Sequence, residues 1–498
     1  MKKHQLKKAS IVLLSALMLT VVSCIDGYKD DITWSPGVEN ATLESPAADK
    51  VTITPSADGS TLTISWPVVP GAGGYQFSLY IMDDPENPVL VGEGNQIVDG
   101  TSVKREMQED TYYRVVIKTL GNPKYNNQEA AAATDIAWNN MLPVTATIPS
   151  GTNLTEYFTT NPIPASTTEL CYVLEPDGTY TMTGNILQGL TAVTIRGDKV
   201  KHPKVIMTNG SFINDGAGFN LKFIDIDYST FAGAASNAII LMNENLNPSV
   251  TLSEGGYLVI PTTSPIAIQS CKITGLKYYL FFDNNKKYAI GTFLIKDCII
   301  GQNTNSFGNA TIRFQSGMVK DLTITKSTWY NEVTAHSSNR ICQISTGNAT
   351  SVRPAAETWA SGNLTITNST FWQVSKGAQS YNSNGAFGTA TDIITIQNCI
   401  IMDSGEGGKA AGDNGFIRRF RRGNNTAIFK GGNNSYWFDG QFPLGEVNSE
   451  GQTTGRDNSG VYTSTDPQLT YLGNGDFQLL GAEQIAKRIG DPRWLPAN

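Results

Sequence analysis

The feature that most constrains this chain is a short motif that keeps returning along it. Six segments lie over one another: "LKFIDIDY" from Leu221, "IAIQSCKI" from Ile266, "FLIKDCII" from Phe293, "LTITKSTW" from Leu322, "LTITNSTF" from Leu364 and "ITIQNCII" from Ile394. Each has apolar residues at its first and third positions and closes on another. A polar residue stands fifth: Asp225, Ser270, Asp297, Lys326, Asn368 and Asn398. The sixth is small or medium: Ile226, Cys271, Cys298, Ser327, Ser369 and Cys399. Successive starts lie 45, 27, 29, 42 and 30 residues apart. One short alternating strand cannot bury its apolar face alone. Copies that recur at a near-constant interval stack and bury one another. The expected structure is a coil of short strands, with an added loop or degenerate turn in the two long intervals. The fifth position is the expected corner, because Asn and Asp tolerate left-handed backbone better than other side chains. Stacked corners then let their side chains bond along the coil. The thiols at position six are expected to be an internal stack of small hydrophobes with no redox role.

A second kind of strand precedes several of these segments and ends on glycine: "TIRFQSG" at Gly317, "ICQISTG" at Gly347 and "RRFRRG" at Gly423. Strict alternation turns Phe314, Ile344 and Phe420 inward. It turns Arg313, Gln343 and Arg419 outward, with Gln315, Ser345 and Arg421 two residues on. Arg418 and Arg422 are the awkward pair, since the same alternation sends them inward, which is costly without partners. Among the aromatics, Trp359 in "ETWASG" is the expected exposed candidate. About half of Trp329, Trp372, Tyr436 and Trp437 are expected to be core.

The segment before the coil reads differently. From residue 36 to 147, runs such as "KVTITPSADGSTLTISW", "GYQFSLYIMDD" and "TYYRVVIKTLG" alternate with period 2 around turn signals. A seven-stranded sandwich is expected, with Trp66, Tyr75 and Tyr113 in its core. Residues 148–498 are assigned to the coil. At the N-terminus, "MKKHQLKK" and "IVLLSALMLTVV" form a basic and an apolar region, and "VVSC" ends at Cys24. The apolar run is too short to span a bilayer and has the flanks of a secretory signal over residues 1–23, with a linker at 24–35. Losing the lysines at 2, 3, 7 and 8 moves the formal charge from −7 to −11. An acidic, exported chain argues against nucleic acid as partner. The cysteines after Cys24 are odd in number with no CxxC pair, and only His202 and His336 remain after processing. That argues against a disulfide framework, a zinc site and a Ser/His/Asp triad.

Several of these stretches resemble known families. The small residue before Cys24 resembles a bacterial lipobox, which implies a lipid anchor on Cys24. Lys29-Asp30-Asp31 resembles the export signal of Bacteroidota surface lipoproteins, which implies the outer face of the outer membrane. Trp66 and the "YYRV" strand resemble a fibronectin type III module, which implies a spacer. The repeated segments resemble the right-handed parallel β-helix of the pectin-lyase-like superfamily. "TDPQL", "GNGDFQLL" and "IGDPRWL" look like the closing segment of lipoproteins in that superfamily classed as domains of unknown function. The fold class expected is all-β: a right-handed parallel β-helix preceded by a small β-sandwich.

The resemblance also implies a carbohydrate ligand. Guanidinium forks match carboxylates and amides bond sugar hydroxyls, so Arg313, Gln315, Gln343, Arg419, Arg421 and Trp359 are the glycan-binding candidates. The reading is a surface lipoprotein that captures an acidic polysaccharide such as pectin beside an outer-membrane glycan transporter. It meets the membrane only through its lipid and needs no cofactor. The alternatives are a pectate-type lyase, with Arg313, Arg419 or Arg421 as base or carboxylate clamp, and a structural or adhesive surface protein. Only the lyase calls for Ca²⁺, which wants six or more oxygens. Asp283, Asp403, Glu406, Asp413 and Asp439 are too scattered in sequence to supply a clean acid cluster, and no complete catalytic constellation is found.

Overall fold

The computed structural model describes residues 37–304, 307, 309–333, 340–345, 359–376, 381–383, 386–405, 415–420, 426–443 and 457–497. Cys24 and the Lys29–Asp31 tripeptide lie outside them. The chain divides between Met141 and Leu142 into two compact units. In the first, Thr52–Pro55, Thr61–Ser65 and Ser102–Glu106 form one antiparallel sheet. Tyr75–Ile81, Tyr112–Thr119 and Thr134–Asn139 form the other. Val89–Leu90 and Gln96–Val98 share its free edge on Tyr75–Ile81, so eight segments occupy seven strand positions. Between the sheets lie Leu62, Ile64, Leu79, Val115 and Ile117, with Trp66 stacked on Phe77 at 5.9 Å.

The second unit is a right-handed parallel β-helix of three sheets, visited in one order on each turn from Leu170–Leu174 to Tyr381–Ser383. Sheet A runs from Ala146–Ile148 through Leu170–Leu174, Val193–Arg196, Phe219–Lys222, Ile266–Gln269, Tyr288–Lys296, Met318–Thr325, Asn363–Thr367 and Ile393–Gln397 to Ile428–Gly432. Sheet B runs from Thr179–Thr183 to Tyr462–Thr463, and sheet C from Ile186–Leu187 to Tyr381–Ser383. Ala146–Ile148 pairs with Leu170–Leu174, so the coil begins slightly earlier than the boundary at 147/148. The interval after Phe219 holds one turn and an added loop, whose Leu258–Ile260 pairs along Tyr288–Ile290.

The inner face of sheet A follows the repeat. Ile266, Phe293, Leu322, Leu364 and Ile394 are stacked in register, as are Ile268, Ile295, Ile324, Ile366 and Ile396. All are at most 1% exposed. Each such side chain contributes roughly 1.5–3 kcal/mol by leaving water.

The corner between sheets A and B is a single left-handed residue. Ser270, Asp297, Lys326, Asn368 and Asn398 have φ between 48° and 58° and Asn433 continues the series at 53°. The alignment at Leu221 is corrected. Phe219, not Leu221, pairs with Ile266, so the corner there is Phe223, with φ 57°, and Asp225 already belongs to sheet B. Corner side chains bond along the coil as expected: Ser270 Oγ lies 2.9 Å from Asp297 Oδ2, and Asn433 donates to Asn398 Oδ1 at 2.8 Å.

Position six is more than a stack of hydrophobes. The backbone N–H of position five donates to the next coil, as from Asp297 to Thr325, and that of position seven to the previous one, as from Thr328 to Cys298. The N–H of position six faces a coil whose chain has turned away, and it is met by a side chain. Cys298 N–H donates to Ser327 Oγ at 3.1 Å, Ser327 N–H to Ser369 Oγ at 3.3 Å and Cys399 N–H to Asn434 Oδ1 at 3.0 Å. Sulfur accepts at the other rungs, from the N–H of Ile224 to Cys271, of Cys271 to Cys298 and of Ser369 to Cys399. Burial pushes the thiols of Cys298 and Cys399 up to about 12.

A closing segment covers the outer face of sheet B. The hairpin Leu469–Gly473 and Asp476–Leu479 packs with Ile489 and Trp494 on Ile299, Tyr330, Trp372 and Ile400. Trp372 is thus half-buried under Tyr471. Asp491 is the clasp. It accepts from Thr328 Oγ1 at 2.7 Å and Arg493 Nη1 at 2.8 Å, and Arg493 reaches on to Asp297 at 2.7 Å. Burial, set against the attraction of Arg493, pushes Asp491 up to about 6.

Three outcomes follow from this packing. Ser369→Ala leaves the Ser327 N–H buried without a partner and is expected to cost about 1–3 kcal/mol in urea unfolding. Ser369→Cys, which restores the rung used elsewhere by sulfur, is expected to recover most of it. The native thiols are expected to resist Ellman's reagent until denaturant is added, since only the thiolate attacks. For Asp491 the folded pKa lies above the unfolded one. Its contribution is therefore fully present below about pH 4 and lost as the pH rises through about 6, to the extent of roughly 2–3 kcal/mol. The unfolding midpoint of the wild type should show this term and that of Asp491→Asn should not.

Candidate functional site

Sheet C carries the candidate site on its outer face, and its strands do not alternate strictly. Leu280 and Phe281 both enter the core, as do Ile239 with Ile240 and Ile341 with Cys342. The outward positions are therefore three apart, at Ala238 and Leu241, Tyr279 and Phe282, Ala310 and Arg313, Arg340 and Gln343. Parallel register stacks them in two rows: Ala238, Tyr279, Ala310 and Arg340, and Leu241, Phe282, Arg313 and Gln343.

At one end of the face the rows are aromatic. Tyr279 and Phe282 stack at 4.5 Å, and Phe307 meets Tyr279 edge-on at 4.6 Å. At the other end they are cationic and amidic. Arg313 Nη1 donates to Gln343 Oε1 at 2.8 Å and Asn309 Oδ1 at 2.7 Å. Its Nε and Nη2 donate to Gln315 Oε1 at 3.1 and 2.9 Å. Arg340 shares the Gln343 oxygen at 3.2 Å. Burial, and then the neighbouring charge of Arg313, lower the pKa of Arg340. No carboxylate pairs with Arg313 among the described residues. Neutral oxygens hold the guanidinium in place, and the amide nitrogens of Gln315 and Asn309 make no hydrogen bond to any described residue.

Asp283 fixes the turn that carries Gln315. It is fully buried, and one carboxylate oxygen accepts the N–H groups of Gln315, Ser316 and Gly317 at 2.7, 2.8 and 2.6 Å. The other oxygen accepts from Asn285 at 3.1 Å. Burial raises its pKa against these bonds. Asp283 is thus a structural anchor of the site.

The sequence candidates divide. Arg313, Gln315 and Gln343 come together. Arg419 does not extend their ladder, because the strand after Arg340–Ile344 is Tyr381–Ser383, with Asn382 paired to Gln343, and Arg421 lies outside the described residues. The described part of "RRFRRG", residues 418–420, is helical rather than extended. Phe416–Phe420 is a short helix against Tyr381–Ser383. Phe416, Ile417 and Phe420 are buried and Phe420 stacks on Tyr381 at 4.6 Å. Helical spacing puts these three on one face and removes the demand that Arg418 point inward. The side chains of Arg418 and Arg419, and all of Arg421 and Arg422, lie outside the described residues. Trp359 is not the exposed residue expected. It is half-buried against Tyr257, Ala289 and Met318. Trp329 and Tyr436 are fully buried, and Trp372 and Trp437 partly exposed.

The scattered acids are spent elsewhere. Asp403 and Asp439 flank Lys376, at 3.7 and 2.7 Å. Glu406 and Asp413 lie outside the described residues, among which no cluster of acids, His and Cys could hold a metal ion. Sequence reasoning missed Arg340, Asn309 and the aromatic group of Tyr279, Phe282 and Phe307. The recurring pairs of apolar neighbours, "LF" at Leu280 and "IC" at Ile341, were the available sign that alternation breaks there.

Similarity to other proteins assigns no chemistry to this face. Residues 1–181 match the domain of unknown function DUF4992, residues 178–332 the domain of unknown function DUF4957 and residues 364–494 the domain of unknown function DUF5123. Among curated proteins none is similar in sequence. Among solved structures, pectate lyase PelI from Erwinia chrysanthemi matches at 7% identity and a TM-score of 0.14, over 64% of this chain and 88% of that one. PelI in complex with tetragalacturonic acid matches over the same shares at 8% and 0.13, as does pectate lyase Pel3 from Pectobacterium carotovorum at 10% and 0.13. The strand order carries the fold by itself.

Replacing Asp283 tests the anchor. Asp283→Ala leaves four N–H groups, that of Gly317 buried, without their acceptor, and a loss of about 1–3 kcal/mol is expected. Asp283→Asn should recover little of it, because one carboxylate oxygen serves three donors and an amide oxygen facing them brings its own N–H₂ against Asn285.

Proposed function

We propose that the protein is a lipoprotein of the bacterial cell surface that binds an acidic polysaccharide, such as pectin, on the outer face of sheet C. The observation that carries this reading is Arg313. It is a guanidinium held by Gln315, Asn309 and Gln343, with no carboxylate against it among the described residues. A uronate carboxylate brings the missing countercharge and the amide nitrogens suit sugar hydroxyls, while the neighbouring Tyr279 and Phe282 are buried under Phe307 and brace the face from one end. Cys24 is the proposed site of lipidation, the sandwich the proposed spacer of fibronectin type III kind, and an outer-membrane glycan transporter the proposed neighbour. A tendency to bind favours capture over cleavage, since Asp283 is committed to backbone donors and Asp403 and Asp439 to Lys376.

Affinity electrophoresis through pectin, alginate and glycosaminoglycans tests it. Retardation in at least one gel is expected, and Arg313→Ala with Gln343→Ala should weaken it about tenfold or more, the worth of a charge-assisted bond. Unchanged retardation in that variant would refute the site. A rise in ultraviolet absorbance from unsaturated uronides would replace capture by lyase activity.

A further inference from the structure

The corner between sheets A and B opens beside Phe223, Ser270 and Asp297 into a groove of about 550 Å³. Its position follows from what covers sheet B. Asp225, Lys272, Ile299, Thr328, Thr370 and Ile400 form one outward row. The closing segment covers this row from Ile299 onward and stops at Arg493. At the other end the loop at 198–203 rises beside Asp225. Between them Asp225 and Lys272 stay open, over the successive corners Phe223, Ser270 and Asp297. Strands about 4.8 Å apart make this span about 10 Å long.

Charge in the groove is unevenly settled. Lysines and arginines number four against three aspartates, with His202 beside them. Two of the aspartates are already engaged: Asp225 Oδ1 lies 2.9 Å from His202 Nδ1, and Asp297 Oδ1 2.7 Å from Arg493 Nη2. The side-chain ammonium groups of Lys201 and Lys272 make no hydrogen bond or ion pair to any described residue; Lys201 is tied only through its backbone, its N–H donating to Asp198 Oδ1 at 2.7 Å. Lys272 is moreover only half-exposed, on a strand that fixes its direction. The floor is Phe223, an aromatic in the left-handed corner where its neighbours in the series are Ser270 and Asp297. A bulky side chain at positive φ is strained, and such strain gathers at binding sites. Phe223 faces the His202 ring at 6.2 Å.

We propose that this groove is a second binding site, specific for a short acidic oligosaccharide. Lys201 and Lys272 take its carboxylate. Asp225 and Asp297 accept from its hydroxyls, Ser270 accepts from or donates to them, and Phe223 with the His202 ring lines its apolar side. A small bare anion is a poor occupant, because the same groove presents carboxylates. This site shares no residue with sheet C and stands without it.

Calorimetry on the full mature chain carrying Arg313→Ala and Gln343→Ala separates the two. With sheet C disabled, trigalacturonate is expected to bind still, and galactotriose about tenfold more weakly or not at all. Adding Lys201→Gln and Lys272→Gln should remove trigalacturonate binding with thermal unfolding unchanged. The proposal is overturned if trigalacturonate fails to bind the sheet C variant, if the lysine changes leave its affinity intact, or if inorganic sulfate binds as tightly.

Discussion

The coil depends on one backbone donor per turn. A chain that bends through a single left-handed residue keeps the hydrogen bonds on either side of the bend, but it points one N–H at a neighbour that has already turned. Inside a dry core such a group costs about 1–3 kcal/mol if unmet. The serine, cysteine and asparagine side chains of position six meet it in turn from Ile224 to Asn434. The choice of residue is narrow. The side chain must be short enough to sit under the corner and must carry an acceptor, which a valine or alanine of similar bulk lacks.

The three sheets serve different ends. Sheet A is the regular one, with alternation intact and apolar ladders of identical or nearly identical residues. Sheet B is roofed over by the closing segment for much of its length, and only its uncovered part is available to a ligand. Sheet C bends within its middle strands, so two neighbouring residues sink into the core, apolar in three of them and Thr311 with Ile312 in the fourth, and the outward positions draw apart. That bend brings Arg340 and Gln343 onto one face with Arg313, and it sets the aromatic pair Tyr279 and Phe282 beside them.

Much of the fold was legible because the repeat declares both its period and its corner. Ser270, Asp297, Asn368 and Asn398 read correctly since the left-handed bend selects their kind of side chain. The first segment slipped by two residues, because a shift of two preserves alternation and Phe223 is not a residue that announces a bend. The pairing of Arg313 with Gln343 could be counted from their glycines. Arg340 could not, since strict alternation hides a face whose spacing is three. "GFIRRF" misled for a related reason: its apolar residues fit period 2 at Phe420 alone and fit a helical face at Phe416, Ile417 and Phe420 together. The groove between the loop at 198–203 and Arg493 has no local signature, as its walls come from opposite ends of the coil.

The clasp formed by Asp491 and Arg493 joins turns laid down long before it. Thr328 is 163 residues away from Asp491 in sequence, and Asp297 is 196 away from Arg493. A coil wound turn upon turn from its first strand needs each new turn to touch only its predecessor. The segment that secures it is synthesised after every strand it secures. Such a chain can wind as a growing, unlatched spring and become locked in a single late event, when its last covered face is sealed.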